Sequence, residues 1–264
     1  MLSLDAIELG VPEVPTAREF YVSALLSPAT EDDQTVRLDL YGTGQVGLRD
    51  VKELADDLEA GPDTSGFRGY VMSYIVRQPR EVQVLVDAAV AQGATVLRPP
   101  KKGFFGGFSA VYRAPDGAVW KLAAPTKKDT APAADPPTPT ETGVLLGVAD
   151  PTVSKVFYTA LGMTVDRDYG TKFIDFVPAK GSCRFGLMTR AALAKDAGVA
   201  AAGTGFPAAV LTSRRASRDE VDAVLSVAAT AGADGVSTAA EDGSGGYAGR
   251  FTDPDGFTWT ISSP

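Results

Sequence analysis

Two short stretches, half a chain apart, constrain this sequence more than any other feature. Tyr112–Leu122 reads YRAPDGAVWKL and Phe251–Ile261 reads FTDPDGFTWTI. In each, a run of alternating apolar residues stops at Pro-Asp-Gly, and a second run carrying a Trp follows. Proline presets its own φ, aspartate hydrogen-bonds back to the backbone and glycine accepts positive φ. Each stretch is therefore predicted to be a strand–turn–strand hairpin. The segments upstream repeat too: Phe20-Tyr21 recurs as Phe157-Tyr158, Gly66-Phe67 as Gly205-Phe206, and Gly93-Ala94 as Gly232-Ala233. Matching order and spacing point to a duplicated chain.

Hydrophobic periodicity fills in the elements. Residues 4–11 alternate as a strand, and Pro15–Leu26 places Ala17, Phe20, Tyr21, Ala24 and Leu25 at helical spacing behind an entry proline. Short strands at Val36–Tyr41 and Gln45–Val51, a polar helical turn over 51–60 and a loop over Gly61–Gly66 follow. A strand at Arg68–Val76 and a helix over Pro79–Gln92 lead to the first hairpin. The same order restarts at Thr142, and Ser217 with Glu220 forms a capping box for the last helix. Between the halves, residues 126–141 (TKKDTAPAADPPTPTE) lack aromatic and branched aliphatic residues and read as an extended linker. The expected division is 1–125, linker 126–141 and 142–264.

Composition excludes several functions. A formal charge of −8 and pI near 4.7 argue against a phosphate-binding nucleic-acid surface, and no apolar run is long enough to span a bilayer. The N-terminus carries acidic residues and no basic segment, so it reads as a first strand rather than a signal peptide. Cys183 is the single cysteine, which makes the reducing cytoplasm the expected location. Histidine is absent, removing the commonest metal ligand and general base.

From Phe104 the first half reads FFGGFSAVYRAPDGAVWKLAAP, and from Gly243 the second reads GSGGYAGRFTDPDGFTWTISSP. With the upstream Phe-Tyr helices, these segments resemble the vicinal oxygen chelate superfamily, the glyoxalase/bleomycin-resistance/dioxygenase fold. The resemblance covers essentially all of both halves. It implies an α+β protein of two tandem domains built from βαβββ modules, a pseudo-dimer within one chain whose curled mixed sheets form cups. Such a protein is expected as a monomer or weak homodimer. Because the fold hosts isomerases, dioxygenases and drug-binding proteins, it does not name a chemistry.

Metal-dependent members place a Glu after the hairpin Trp, where this chain has Lys121 and Thr260. They place a His on the first strand, where it has Ala6 and Gly143, and another near Val71 and Ala209. The resemblance therefore implies no metal and no cofactor, since a divalent ion needs several oxygen or nitrogen ligands. Strand alternation turns Lys121 toward the cup and Trp120 toward the helices. Glu8 shares the face of Ala6, so Glu8 and Lys121 are expected to oppose one another in one cup, with Thr260 and Leu145 in the other. Phe104, Phe105 and Phe108, with Tyr247 as their second-half equivalent, are expected to cap a flat ligand at the cup mouth. Asp39 and Asp175 alternate with apolar residues and read as solvent-facing. Two readings follow: a metal-independent binder of an aromatic or bulky metabolite or antibiotic, or a metal-independent isomerase or lyase using Lys121 and Glu8.

Overall fold

A computed structural model of the protein describes residues 1–31, 35–103, 107–241 and 245–264. The first module runs through Ala6–Val11 (β1), Val14–Leu25 (α1), Ala29–Glu31 (β2), Val36–Asp39 (β3) and Gln45–Asp50 (β4). A connector follows, made of Val51–Asp56 (α2) and Thr64–Gly66 (β5). The second module is Tyr70–Ile75 (β6), Pro79–Ala91 (α3), Thr95–Lys102 (β7), Phe108–Arg113 (β8) and Val119–Ala124 (β9). The second half repeats the plan: Glu141–Val148 (β10), Pro151–Ala160 (α4), Val165–Asp168 (β11), Ile174–Phe176 (β12) and Arg184–Thr189 (β13). Its connector is Arg190–Ala197 (α5) and Gly203–Gly205 (β14), and its last module is Ala209–Arg214 (β15), Arg218–Ala231 (α6), Ala240–Glu241 (β16), Tyr247–Thr252 (β17) and Thr258–Ser263 (β18).

Each module folds as its local pattern dictates. Helix α1 begins at a proline and buries Ala17, Phe20, Tyr21, Ala24 and Leu25, one stripe of a 3.6-residue period. Helix α6 starts at Ser217, whose hydroxyl accepts the Glu220 N–H at 3.3 Å, and the Glu220 carboxylate reaches back to the Ala216 N–H at 3.1 Å. Both Pro-Asp-Gly stretches are tight turns, and Gly117 and Gly256 take φ of +94° and +90° there.

The modules then pair across the halves. One eight-stranded mixed sheet has the order β16-β17-β18-β15-β1-β4-β3-β2, and the other β11-β12-β13-β10-β6-β9-β8-β7. Each sheet thus joins one module from each half. In the first, β1 runs antiparallel to β15; in the second, β10 runs antiparallel to β6. One continuous apolar core, containing Ile7, Leu9, Tyr74, Trp120, Val144, Phe185 and Trp259, lies on the helix side of both sheets with α1, α3, α4 and α6. The opposite sheet faces form two cups. The two connectors meet where β5 pairs with β14, Gly66 opposite Gly203.

That three-residue strand lies in a segment expected to be loop; only pairing with a segment over a hundred residues away creates it. The 126–140 stretch contains no regular element, but it is tied to the start of α3. Asp129 accepts the Arg80 N–H at 2.7 Å, Gln78 accepts the Thr130 and Ala131 N–H groups, and Glu81 accepts that of Ala134. Gln78 makes no side-chain cap of its own helix, so Asp129 satisfies an amide that the helix start leaves unpaired.

Candidate functional site

Because β1 alternates, Ile7, Leu9 and Val11 enter the common core, while Ala6, Glu8 and Gly10 face the first cup. Register extends this face across the sheet. Ala6 lies opposite Thr212 and beside Gln45, Glu8 lies opposite Val210 and beside Gly47, and Thr212 is level with Thr260. In the second cup the corresponding row is Gly143, Ser73, Arg184 and Lys121, with Leu145 and Val71 one step along.

This topology corrects the expected pairing. Glu8 belongs to the first sheet and Lys121 to the second, so they do not oppose one another; Glu8 shares its cup with Thr260, and Lys121 shares its own with Leu145. The reason is the cross-half pairing of modules. Each charge has a nearer partner. Lys121 Nζ donates to Asp196 on α5 at 2.6 Å, and Glu8 lies 3.8 Å from Arg49. Both are partly solvated, with 26% and 28% of the side chain exposed, and pairs of this kind are worth at most about 1 kcal/mol.

The aromatic cap is also corrected. Phe108 shares a face with Ala110 and Tyr112 and packs on the common core, away from the cup. Tyr247 shares a face with Phe251 and packs on the same core; its hydroxyl donates to Asp222 at 3.0 Å, and the Arg218 guanidinium lies 5.2 Å from its ring centre. Period-two alternation in β8 and β17 fixes both. Phe104 and Phe105 lie outside the described residues. Asp39 is exposed, as expected, but Asp175 is fully buried and paired with Arg167 and Arg184. Arg184 also binds Glu141 and Asp166, each at 2.7 Å. A buried carboxylate persists only with such partners.

Each cup is partly filled by its connector. Leu54 and Ala55 of α2 join Phe206, Ala208 and Val210 in one apolar cluster. Leu193, Ala194 and Ala197 of α5 join Phe67, Val71, Val111 and Val119 in another. These plugs cover the ends of the cups near Gly10 and Gly147, where an added Cβ would meet Val51 and Arg190 at 3.0 Å. Charges latch both. Asp57, just after α2, receives Arg49 at 2.8 Å and its carbonyl accepts from Arg250, while Asp196 on α5 holds Lys121. Beyond the plug in the first cup, Glu8, Gln45 and Thr260 are only half-buried, so solvent reaches that floor.

The Thr212 hydroxyl stands out there. Thr212 is 7% exposed, and its Oγ1 has no hydrogen-bond partner among the described residues. Sequence reasoning passed over it by placing Ala209 at the decisive position of the strand. Ala209 points into the core, and counting by twos in AVLTSR puts Val210 and Thr212 on the cup side.

The metal-binding chemistry of this fold does not fit these rows. In the second cup the carboxylates of Glu141, Asp166, Asp175 and Asp196 are taken up by Arg184 and Lys121, and Gly143 has no room for any side chain, since a Cβ there would lie 2.2 Å from the Arg184 carbonyl oxygen. The first-cup floor offers one carboxylate, Glu8, which lies 3.8 Å from Arg49, and otherwise hydroxyls and the Gln45 amide, whose oxygen already accepts from Arg214 at 2.7 Å, a poor donor set for a dehydrated divalent ion. Among the described residues no group of three or more His, Cys, Asp or Glu side chains is placed to hold a metal. Cys183 is buried, and burial pushes its thiol up to about 11, so it is not a nucleophile. No described helix is long and apolar enough to cross a membrane.

Comparison with known proteins agrees with this architecture. Glyoxalase I from Zea mays superposes with a TM-score of 0.65 at 17% identity, covering 100% of this chain and 92% of that one. A candidate dioxygenase from Bacillus subtilis subsp. subtilis str. 168 gives a TM-score of 0.68 at 12% identity, covering 99% and 85%. Identities this low establish the fold alone. No curated protein sequence matches. The Glyoxalase/Bleomycin resistance protein/Dioxygenase superfamily model matches residues 142–261. That match lies in the second half, and the first half is built on the same plan of elements.

Proposed function

We propose that the protein binds a small polar molecule in its first cup without a metal ion. The observation that carries this reading is the Thr212 hydroxyl, buried and unpartnered on a floor shared with Gln45, Thr260 and Glu8. A buried hydroxyl without a partner costs about 1–3 kcal/mol, and a ligand group that reaches it by displacing the side chains over it removes that cost. The first cup is favoured over the second, where Lys121 is already latched to Asp196. The polar floor favours a ligand with adjacent hydroxyl, carbonyl or amide groups over a flat aromatic one. Binding is favoured over acid–base turnover by Glu8 and Lys121, which lie in separate sheets.

Thr212→Val tests this reading because the account gives its two effects opposite signs. Valine matches threonine in shape, so losing the unpartnered hydroxyl should leave the free protein as stable or more stable by up to about 1 kcal/mol. The same change should weaken binding about tenfold or more. The measurement is a thermal-shift screen of sugars and small hydroxy- and oxo-compounds with a chelator present, on wild type and variant. A saturable shift that survives the chelator and is lost in Thr212→Val supports the reading. Shifts from divalent metals alone, or a ligand shift unchanged in the variant, contradict it.

A further inference from the structure

The two halves treat one shared feature differently. In both, a buried tyrosine from the first helix of the half donates to a hairpin carboxylate and accepts from the hairpin tryptophan. Trp120 Nε1 lies 3.3 Å from Tyr21 Oη, and Trp259 Nε1 lies 3.3 Å from Tyr158 Oη. In the second half the carboxylate is Asp253, the residue before Pro-Asp-Gly, and Ser154 of α4 donates to Asp255 at 2.5 Å. In the first half the positions of Asp253 and Ser154 are Ala114 and Ala17. There Asp116, the counterpart of Asp255, takes the Tyr21 hydroxyl at 2.7 Å.

Ala17, at the position of Ser154, lines an open space on this side. Between the start of α1 and the first hairpin lies a cavity of about 180 Å³, walled by Thr16, Ala17, Phe20 and Pro115, with Tyr21 and Asp116 deeper and the exposed Glu13 at its edge. An apolar cavity of about 150 Å³ is enough to take up a benzene-sized molecule. The titratable groups lining it are Glu13, Asp116 and Tyr21, and no Lys or Arg side chain among the described residues lines it. Arg68 donates to the Asp116 carbonyl at 2.5 Å and its charge acts on the Asp116 carboxylate, which also accepts the Ala118 N–H at 2.8 Å; Glu13, exposed at the edge, carries the charge open to a ligand. We propose that this cavity is a second ligand site, separate from both cups, for a small organic ammonium ion with an apolar body. The body fills the space beside Phe20 and Ala17, and the ammonium pairs with Asp116 and Glu13, since an apolar wall with a few placed polar groups is how small-molecule sites are built.

Isothermal titration of the full chain with benzylamine, benzyl alcohol and benzoate tests the proposal. Benzylamine is expected to bind saturably at one equivalent, and benzoate at least about tenfold more weakly. Thr16→Phe, at an exposed position, closes the mouth and should abolish binding; Glu13→Gln should weaken it several-fold; Thr260→Val, on the floor of the first cup, should leave it unchanged. Circular dichroism confirms that each variant is folded. Absence of saturable benzylamine binding, equal affinity for benzoate, or undiminished binding by Thr16→Phe overturns the proposal.

Discussion

Trp259→Ala should lower stability by about 3–5 kcal/mol, while Thr260→Ala, one residue away, should change it by less than about 1 kcal/mol. The contrast follows from alternation along β18. Trp259 is fully buried on the core side, with ring centres of Tyr158, Phe185 and Phe251 at 5.9, 5.6 and 6.3 Å. Phe185 belongs to the second sheet, so this indole joins the two sheets. Removing it leaves a void that rigid neighbours refill only in part. It also strips the Tyr158 oxygen of its indole donor. Thr260 stands on the cup side, half-buried. Urea denaturation of both variants measures the difference through the midpoint at constant slope. Equal losses at the two positions would mean that the strand faces are misassigned.

A second large effect concerns pH. Asp253 is 1% exposed, and burial raises its carboxyl from 3.8 to about 6 despite hydrogen bonds from Tyr158 and from the Phe257 and Asp255 N–H groups. In the unfolded chain the carboxyl ionises near its ordinary value. Between about pH 4 and 6 the folded state therefore holds more protons than the unfolded one, and stability falls as pH rises through that window. Above about pH 6 the whole penalty is present; below about pH 4, where both states are protonated, it is gone. At about 1.4 kcal/mol for each tenfold change in proton affinity, the penalty is about 3 kcal/mol. Asp253→Asn keeps an acceptor for the two amides and does not ionise. Relative to wild type, the variant should be more stable at pH 8 than at pH 4 by about 2–3 kcal/mol. Denaturation curves at the two pH values check this, and parallel shifts at both would contradict it. Such a buried acid is retained because Asp253 ties the final turn to α4 through the Tyr158 hydroxyl.

How much of this was legible in the sequence depends on the range of the interaction. The hairpins, the helices and their order were readable because Pro-Asp-Gly, strand alternation and helical spacing act over a few residues. The burial of Trp120 and Trp259 followed from the same alternation. What was not readable is which modules share a sheet. Strand β1 pairs with β15 rather than β6, and both candidates carry similar apolar alternation. That choice moved Lys121 out of the cup of Glu8. The plugs were equally hidden: 51–60 reads as a polar turn, yet Leu54 and Ala55 are buried because Phe206 and Val210 come to them from the other half. The faces of Phe108 and Tyr247 were legible in principle, by counting back in twos from Tyr112 and Phe251, but their glycine-rich surroundings suggested loops.

The most direct test of metal-independent binding in the first cup is a crystal structure of the full chain soaked with small hydroxy- and oxo-compounds in the presence of Mn²⁺. A ligand oxygen or nitrogen is expected within hydrogen-bond distance of Thr212 Oγ1, beside Gln45 and Thr260, with no ion on either floor. A metal ion seated on the Ala6–Thr260 row or beside Ser73 and Lys121, or ligands bound only in the second cup, would contradict it.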